Sequence, residues 1–376
     1  MQGKINTSFE KLDVLTSLRF FAAFAVFIFH AKLLDSLLAD YRLGDVGVAF
    51  FFLLSGFIMV YVYHEKLGKF TRKGLLKFYI ARFAKIYPMH ILAFLLATPA
   101  MFAAYGVVVG GPFNAIVAQA AAVNLSLTQA YFSDVALLYS FNNVSWTLSM
   151  EILFYAVFPI IMLIASKRLR AASIQRIIGI GIALWVITIL FNFVLPASLA
   201  IGPIIRLPEF LIGSLAGFIY LNRPALGALI RKSRATTLEV TAILLAIGNL
   251  ALYPLLPEKT TIAVCVAPSF IFLITVFAYQ RGYISQLLSR RTFVSLGEIS
   301  FSFYMLHMII LGRMGAIDNT SLTFLALGIT LILSAVTYRY VEEPARKWLK
   351  FNLDKAIEKR RQRRLALEPV LDNTPA

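Results

Sequence analysis

The stretch LTSLRFFAAFAVFIFHAKLL, residues 15–34, decides how the whole chain is read. Twenty mainly apolar residues are the length of helix that crosses a bilayer core. Arg19 and His30 stand inside it, eleven residues apart. Eleven residues make about three helical turns, so both side chains project from nearly the same face, roughly 16 Å apart along the axis. Ionisable groups in a membrane helix are costly in lipid. Where they occur they face a protein interior or a wet cavity and mark a functional path.

Runs of this length recur. Ten are present, at about 15–37, 46–63, 87–104, 147–165, 174–194, 204–221, 237–254, 261–279, 294–312 and 321–340. The chain has 376 residues, 59% of them hydrophobic, with a mean hydropathy of +0.78. Soluble domains stay near half apolar. The fold class is therefore an all-α polytopic membrane protein of about ten transmembrane helices, because lipid-facing backbone must satisfy its own hydrogen bonds. The first run is too long for a signal peptide and no small-residue cleavage site follows it, so it is retained as a span. The spans and their connections make one domain, 1–348, followed by a basic tail, 349–376.

The net charge of +17 does not point to nucleic acid, because its distribution is that of a membrane protein. The connection 64–86 holds seven Lys or Arg, and alternate later connections hold Lys167, Arg168, Arg170 and Arg176, then Arg223, Arg231, Lys232 and Arg234, then Arg281, Arg290 and Arg291. The stretch 105–145 holds none. This alternation is the positive-inside pattern, and it implies an even number of spans with both termini cytoplasmic. The tail after about 345 is a charged helical segment suited to the anionic cytoplasmic leaflet, so membrane lipids are an expected partner. The single cysteine, Cys265, excludes a disulfide framework and a cysteine-based metal site.

Two connections carry structure of their own. Residues 105–145 are apolar but broken by Gly, Pro and Asn, as expected for a re-entrant or interfacial cap over an outward cavity. FTRKGLLKFYIARFAKIYP, residues 70–88, is amphipathic, with Leu76, Tyr79, Ile80, Phe83 and Ile86 on one side. It reads as an interfacial cytoplasmic helix leading to a span that opens at Pro88. Lys73 and Lys77 fit lipid headgroups. Arg82 and Lys85 form a second pair on another edge, placed as headgroup contacts or as a phosphate-binding pair at a cavity mouth.

Topology then gives each polar residue a depth. Arg19 falls near the cytoplasmic face and His30 in the outer half of the first span. Trp146 opens the fourth span, and Thr147, Glu151 and Tyr155 follow at i, i+4 and i+8 as one polar stripe. In the ninth span Ser300, Tyr304 and His307 share a stripe. His30, Glu151 and His307 are therefore expected to converge at similar depth, with Arg19, Arg82 and Lys85 at the cytoplasmic end. Arg206 and Glu209 lie at the outer edge of the sixth span, as an i, i+3 pair. Ser55 and Gly56 mark a close helix contact.

These stretches together resemble the integral-membrane acyltransferase 3 family. The resemblance rests on LTSLRFFAAFAVFIFH, VGVAFFFLLSGF, FYIARFAKIYP, SWTLSMEILFY, RLPEFLIGSLAG, ISFSFYMLHM and VEEPARKW, which occur in the family's order and span about 13–348. One departure stands out: the basic motif is Arg82-x-x-Lys85 where the family usually has two arginines, so the bidentate fork is lost at Lys85. The resemblance implies an acyl-CoA donor, most often acetyl-CoA, and an acceptor hydroxyl on a surface glycan or its lipid-linked precursor in the bacterial inner membrane. It implies no permanently bound cofactor. Arg19, Arg82 and Lys85 would anchor the donor's phosphates. His30 would act as general base or as an acyl relay, with Glu151 orienting it. Trp146, Tyr155, Arg206 and His307 are the candidates for the acceptor side. A transporter or flippase of an anionic lipid or metabolite would use the same basic mouth and buried ionisable groups, but the chain shows no paired half-sequence symmetry. A membrane scaffold leaves the cost of burying His30 unexplained.

Overall fold

The computed structural model describes residues 10–33, 41–67, 71–107, 114–194, 202–222, 230–255, 262–317 and 319–367. Lys69, Arg223 and the final segment 368–376 lie outside them. The long helices are α1 (Asp13–His30), α2 (Leu43–Leu67), α3 (Arg72–Ala104), α4 (Ala115–Leu125), α5 (Trp146–Ala171), α6 (Ile174–Val194), α7 (Pro203–Asn222), α8 (Lys232–Leu252) and α9 (Ile262–Ala278). A short α10 (Tyr283–Leu288) precedes α11 (Arg291–Met314), α12 (Thr320–Thr337) and α13 (Glu343–Leu367). Among the described residues there is no strand.

Among the described residues, nine helices are long and apolar enough to cross a membrane. The tenth expected span, α9, is 17 residues long, about 26 Å at 1.5 Å per residue. Its role as a crossing follows from direction. Thr16 of α1 packs on Gly297 of α11, Phe20 and Phe27 pack on Phe303, and His30 meets His307. The two helices therefore run parallel. Parallel packing makes them both odd-numbered spans, which holds only if α9 also crosses.

Helix α2 is the axis of the bundle: 72% of its apolar stretch is buried, against 11% for α6 at the periphery. Backbones approach closely along it. A Cβ at Gly56 would run into the Phe210 carbonyl oxygen of α7, and one at Gly213 into the Leu53 carbonyl oxygen of α2. Small residues permit this approach in membranes, where packing rather than hydrophobic exclusion joins helices. Phenylalanine rings fill the adjoining layer: Phe52 and Phe154 meet edge-on at 5.0 Å, and Phe154 stacks on Phe210 at 4.9 Å.

One expectation about α3 is corrected. Thr71 caps its N-terminus by accepting from Gly74 N at 3.0 Å, and the helix then runs unbroken for 33 residues through Pro88. An interior proline removes one helical hydrogen bond, a loss that neighbouring helices compensate inside a bundle. The interfacial helix and the third span are thus one element. Of its apolar side, Leu76, Tyr79 and Phe83 point outward, whereas Ile86 is buried. Arg82 and Lys85 turn inward to line a cavity.

The 105–145 stretch forms α4 and short helical turns at 129–131, 135–138 and 143–145. Its buried polar groups fasten it down. Asn124 Nδ2 donates to the Ser140 carbonyl at 2.8 Å, His90 Nε2 lies 3.0 Å from the Asn124 carbonyl, and Asn142 Nδ2 donates to Met305 O of α11 at 2.9 Å. The last helix, α13, runs through residue 348 without a break and docks on α3 through Lys77 Nζ and Asp354 Oδ1 at 2.6 Å.

One buried carboxylate has a purely architectural place. Glu239 of α8 accepts from Gly282 N at 2.9 Å, Ile284 N at 3.1 Å and Ser285 N at 3.4 Å, and from the Ser285 hydroxyl. These are the free amides at the start of α10, which the sequence presents only as a connection. Glu239→Gln replaces one acceptor oxygen by a donor and orphans amides there. Thermal unfolding in detergent should register a loss of about 1–3 kcal/mol.

Candidate active site

A cavity of about 160 Å³ opens between α1, α2, α3, α5 and α11, room for several waters. Arg19 enters it from α1, Arg82 and Lys85 from α3, and Thr147, Glu151 and Tyr155 from α5. The 147–151–155 stripe follows from helical spacing, and all three side chains reach the cavity. Phe51, Phe52, Met59 and Ile86 supply apolar wall, and Tyr304 of α11 closes part of it.

Arg82 is held in a fixed pose. Its Nη2 donates to Tyr63 Oη at 3.1 Å, its Nη1 lies 3.6 Å from Met59 Sδ, and its guanidinium carbon sits 5.3 Å from the Tyr63 ring centre and 5.7 Å from that of Tyr155. Tyr155 Oη in turn donates to Glu151 Oε2 at 2.9 Å. A second carboxylate acts from the far side. Glu342 accepts from Ser302 Oγ at 2.9 Å and interacts electrostatically with Arg19 and Lys85. It closes a π-helical turn, Tyr338–Glu342, and such turns recur at functional sites. Three cations and two carboxylates leave this group formally one positive charge in excess. Cationic donors gathered around a small cavity suit an anionic group, since charge-assisted bonds of this kind are the strong ones.

A second polar centre lies beyond Tyr304. His307, one turn further along α11, is fully buried, and its Nδ1 is 2.7 Å from the Tyr304 carbonyl oxygen. Its Nε2 is 3.0 Å from Nδ1 of His30. Phe27 and Phe303 flank the pair, each with ring centres 6.3 Å from His307. His30 is the last residue of α1, which ends there and not near residue 37 as the apolar run suggests. The imidazole of His30 therefore sits half-buried at a helix terminus, about 16 Å along α1 from Arg19.

The acyltransferase-domain family, acyltransferase 3, matches residues 12–339. The chain belongs to that family. The acyltransferase is 29% identical to the acyltransferase MdmB of Streptomyces mycarofaciens, over 97% of each chain. It is 22% identical to the peptidoglycan O-acetyltransferase OatA of Listeria monocytogenes, over 81% of this chain and 51% of that protein. No solved structure matches it.

The acyltransferase brings together some of the residues singled out in its sequence and separates others. Arg19, Arg82, Lys85, Glu151 and Tyr155 share the cavity. Glu151 does not join His30: it faces the cations and takes its hydrogen bond from Tyr155. His307 is what His30 meets. Arg206, in the first turn of α7, is buried, 6% exposed, with Nε 2.9 Å from Glu209 Oε1 and its guanidinium 5.3 Å from the Phe52 ring. It stands behind Phe52 and does not line the cavity. Trp146, half-buried, packs in the aromatic core at the start of α5. Glu342 was not singled out, although its stretch VEEPARKW was. Among the described residues, no group of three His, Cys, Asp or Glu could hold a metal ion.

Proposed function

We propose that this acyltransferase moves an acyl group, in the simplest case acetyl, from cytoplasmic acyl-CoA to a sugar hydroxyl of a cell-surface glycan or its lipid-linked precursor. The observation that carries the reading is the convergence of Arg19, Arg82 and Lys85 on one cavity inside the membrane domain. Cations so placed are costly unless an anion uses them. The positive-inside pattern supports a cytoplasmic position for their end of α1, with both termini on that side of the membrane. There the phosphates of a coenzyme A would arrive. The thin acyl-bearing arm would then run along α1 toward His30. A relative named as a peptidoglycan O-acetyltransferase supports an oxygen acceptor on a glycan.

In this reading His30 is the base. It takes the proton of the acceptor hydroxyl as that oxygen attacks the thioester carbonyl. The carbon–sulfur bond breaks, and the imidazolium returns the proton to the departing thiolate. A neutral imidazole is suited to both transfers near neutral pH.

The donor is tested directly in detergent. Acetyl-CoA at 100 times its Kd should stabilise the protein against unfolding by about 2.7 kcal/mol. Arg82→Ala should weaken that binding about 10–100-fold, since a hydrogen bond to a charged group contributes about 1.5–3 kcal/mol. Absence of any thermal shift with wild-type protein would remove acyl-CoA as the donor.

A further inference from the structure

We propose that His307 is a positioning residue: it fixes the tautomer of His30 so that the His30 Nε2 lone pair is left as the proton acceptor. The inference rests on the acyl-transfer reading above. It begins from an atom whose role is fixed. The Tyr304 carbonyl oxygen can only accept, so Nδ1 of His307, 2.7 Å away, carries a proton. A neutral imidazole has one N–H, which leaves His307 Nε2 as an acceptor. That atom is 3.0 Å from His30 Nδ1, which must therefore donate to it. His30 is left with its proton on Nδ1 and a free lone pair on Nε2. Neither ring has a carboxylate within ion-pair distance among the described residues, so both are assigned as neutral.

The chain of donation runs from His30 to His307 to a main-chain carbonyl. It occupies the place that a carboxylate takes in a triad, where the third group holds the base in the right tautomer. Its members are held rigidly. His307 is fully buried between Phe27 and Phe303, and Asn142 ties α11 down at Met305, two residues away. Without His307 the His30 ring is held only by its interaction with the main chain of Val26, and states that carry the proton on Nε2, where the ring cannot serve as a base, become accessible.

The test compares two replacements in membranes supplied with acetyl-CoA, following thioester loss and acetyl incorporated into membrane material. His307→Leu removes the acceptor. His307→Gln keeps a carbonyl oxygen near the former Nε2. The expected result is a fall in kcat of at least tenfold for His307→Leu, approaching the roughly 10⁴-fold penalty of a wrong tautomer. KM for acetyl-CoA stays unchanged, and His307→Gln recovers most of the loss. Nitrogen NMR of histidine-labelled wild-type protein reads the tautomer without relying on activity. The chain has four histidines, and His30→Ala identifies the signal. A His30 found with its proton on Nε2 overturns the proposal, as does equal loss in the Leu and Gln variants. Full activity of His307→Leu beside an inactive His30→Ala overturns it too. If His30→Ala is itself active, it is the reading of His30 as base that fails.

Discussion

His30→Ala is expected to lower acyl transfer by about 10²–10⁴-fold, the range supplied by a positioned general base. In activation free energy that is about 3–5.5 kcal/mol at 1.36 kcal/mol per decade. The loss should fall on kcat alone. His30 is not part of the cavity wall, and it lies about three turns along α1 from Arg19. The thermal shift produced by acetyl-CoA should therefore persist in the variant. Folding should persist as well, because His30 is half-buried at the end of its helix and its side-chain partners are His307 and the main chain of Val26. The measurement is acetyl incorporation from labelled acetyl-CoA into membrane glycans, beside the thermal shift in the purified protein. Wild-type incorporation by the variant would sink the assignment. Loss of the acetyl-CoA shift together with activity would instead move His30 into donor binding.

Depth was legible in the sequence and azimuth was not. Counting residues from the span ends puts His30, Glu151 and His307 at one level, which is how Glu151 came to be expected beside the histidine. Level alone does not say which neighbour a helix face meets. Helix α5 turns the 147–151–155 stripe toward Arg82, while α11 presents His307 to α1. For Arg82 and Lys85 the sequence leaves two placements open, headgroup contact and cavity mouth, for a related reason. In lipid the outward face of a helix is the apolar one, so an amphipathic pattern does not distinguish a helix lying on the membrane from one that lines a cavity within it. Glu342 escaped because a π turn shifts the helical phase at Tyr338–Glu342. Regular 3.6-residue spacing does not predict the direction of a side chain past such a turn. The apolar runs, by contrast, mark the helices well, because length and hydropathy are all that crossing a bilayer requires.

Gly213→Leu should prevent recovery of folded protein, and Gly213→Ala alone should cost about 3 kcal/mol, the upper part of the range for overpacked sites. The reason lies in what the new carbon would meet. At Gly213 it runs into the main-chain carbonyl of Leu53, and at Gly56 into that of Phe210. A side chain can rotate out of the way, but a helix backbone cannot, so α2 and α7 would have to part. Their separation would also open the Phe52–Phe154–Phe210 stack and move Phe52 and Ser55, which wall the cavity. Any folded Gly213→Ala protein is therefore expected to bind acetyl-CoA less tightly, although Gly213 lines no part of the cavity itself. Gly328→Ala supplies the contrast. A Cβ there meets nothing within 4 Å, and alanine is favoured over glycine in a helix by up to about 1 kcal/mol. Thermal unfolding in detergent, with the yield of monodisperse protein, reads both. Equal stability of Gly213→Ala and Gly328→Ala would mean that the α2–α7 contact is looser than its geometry states.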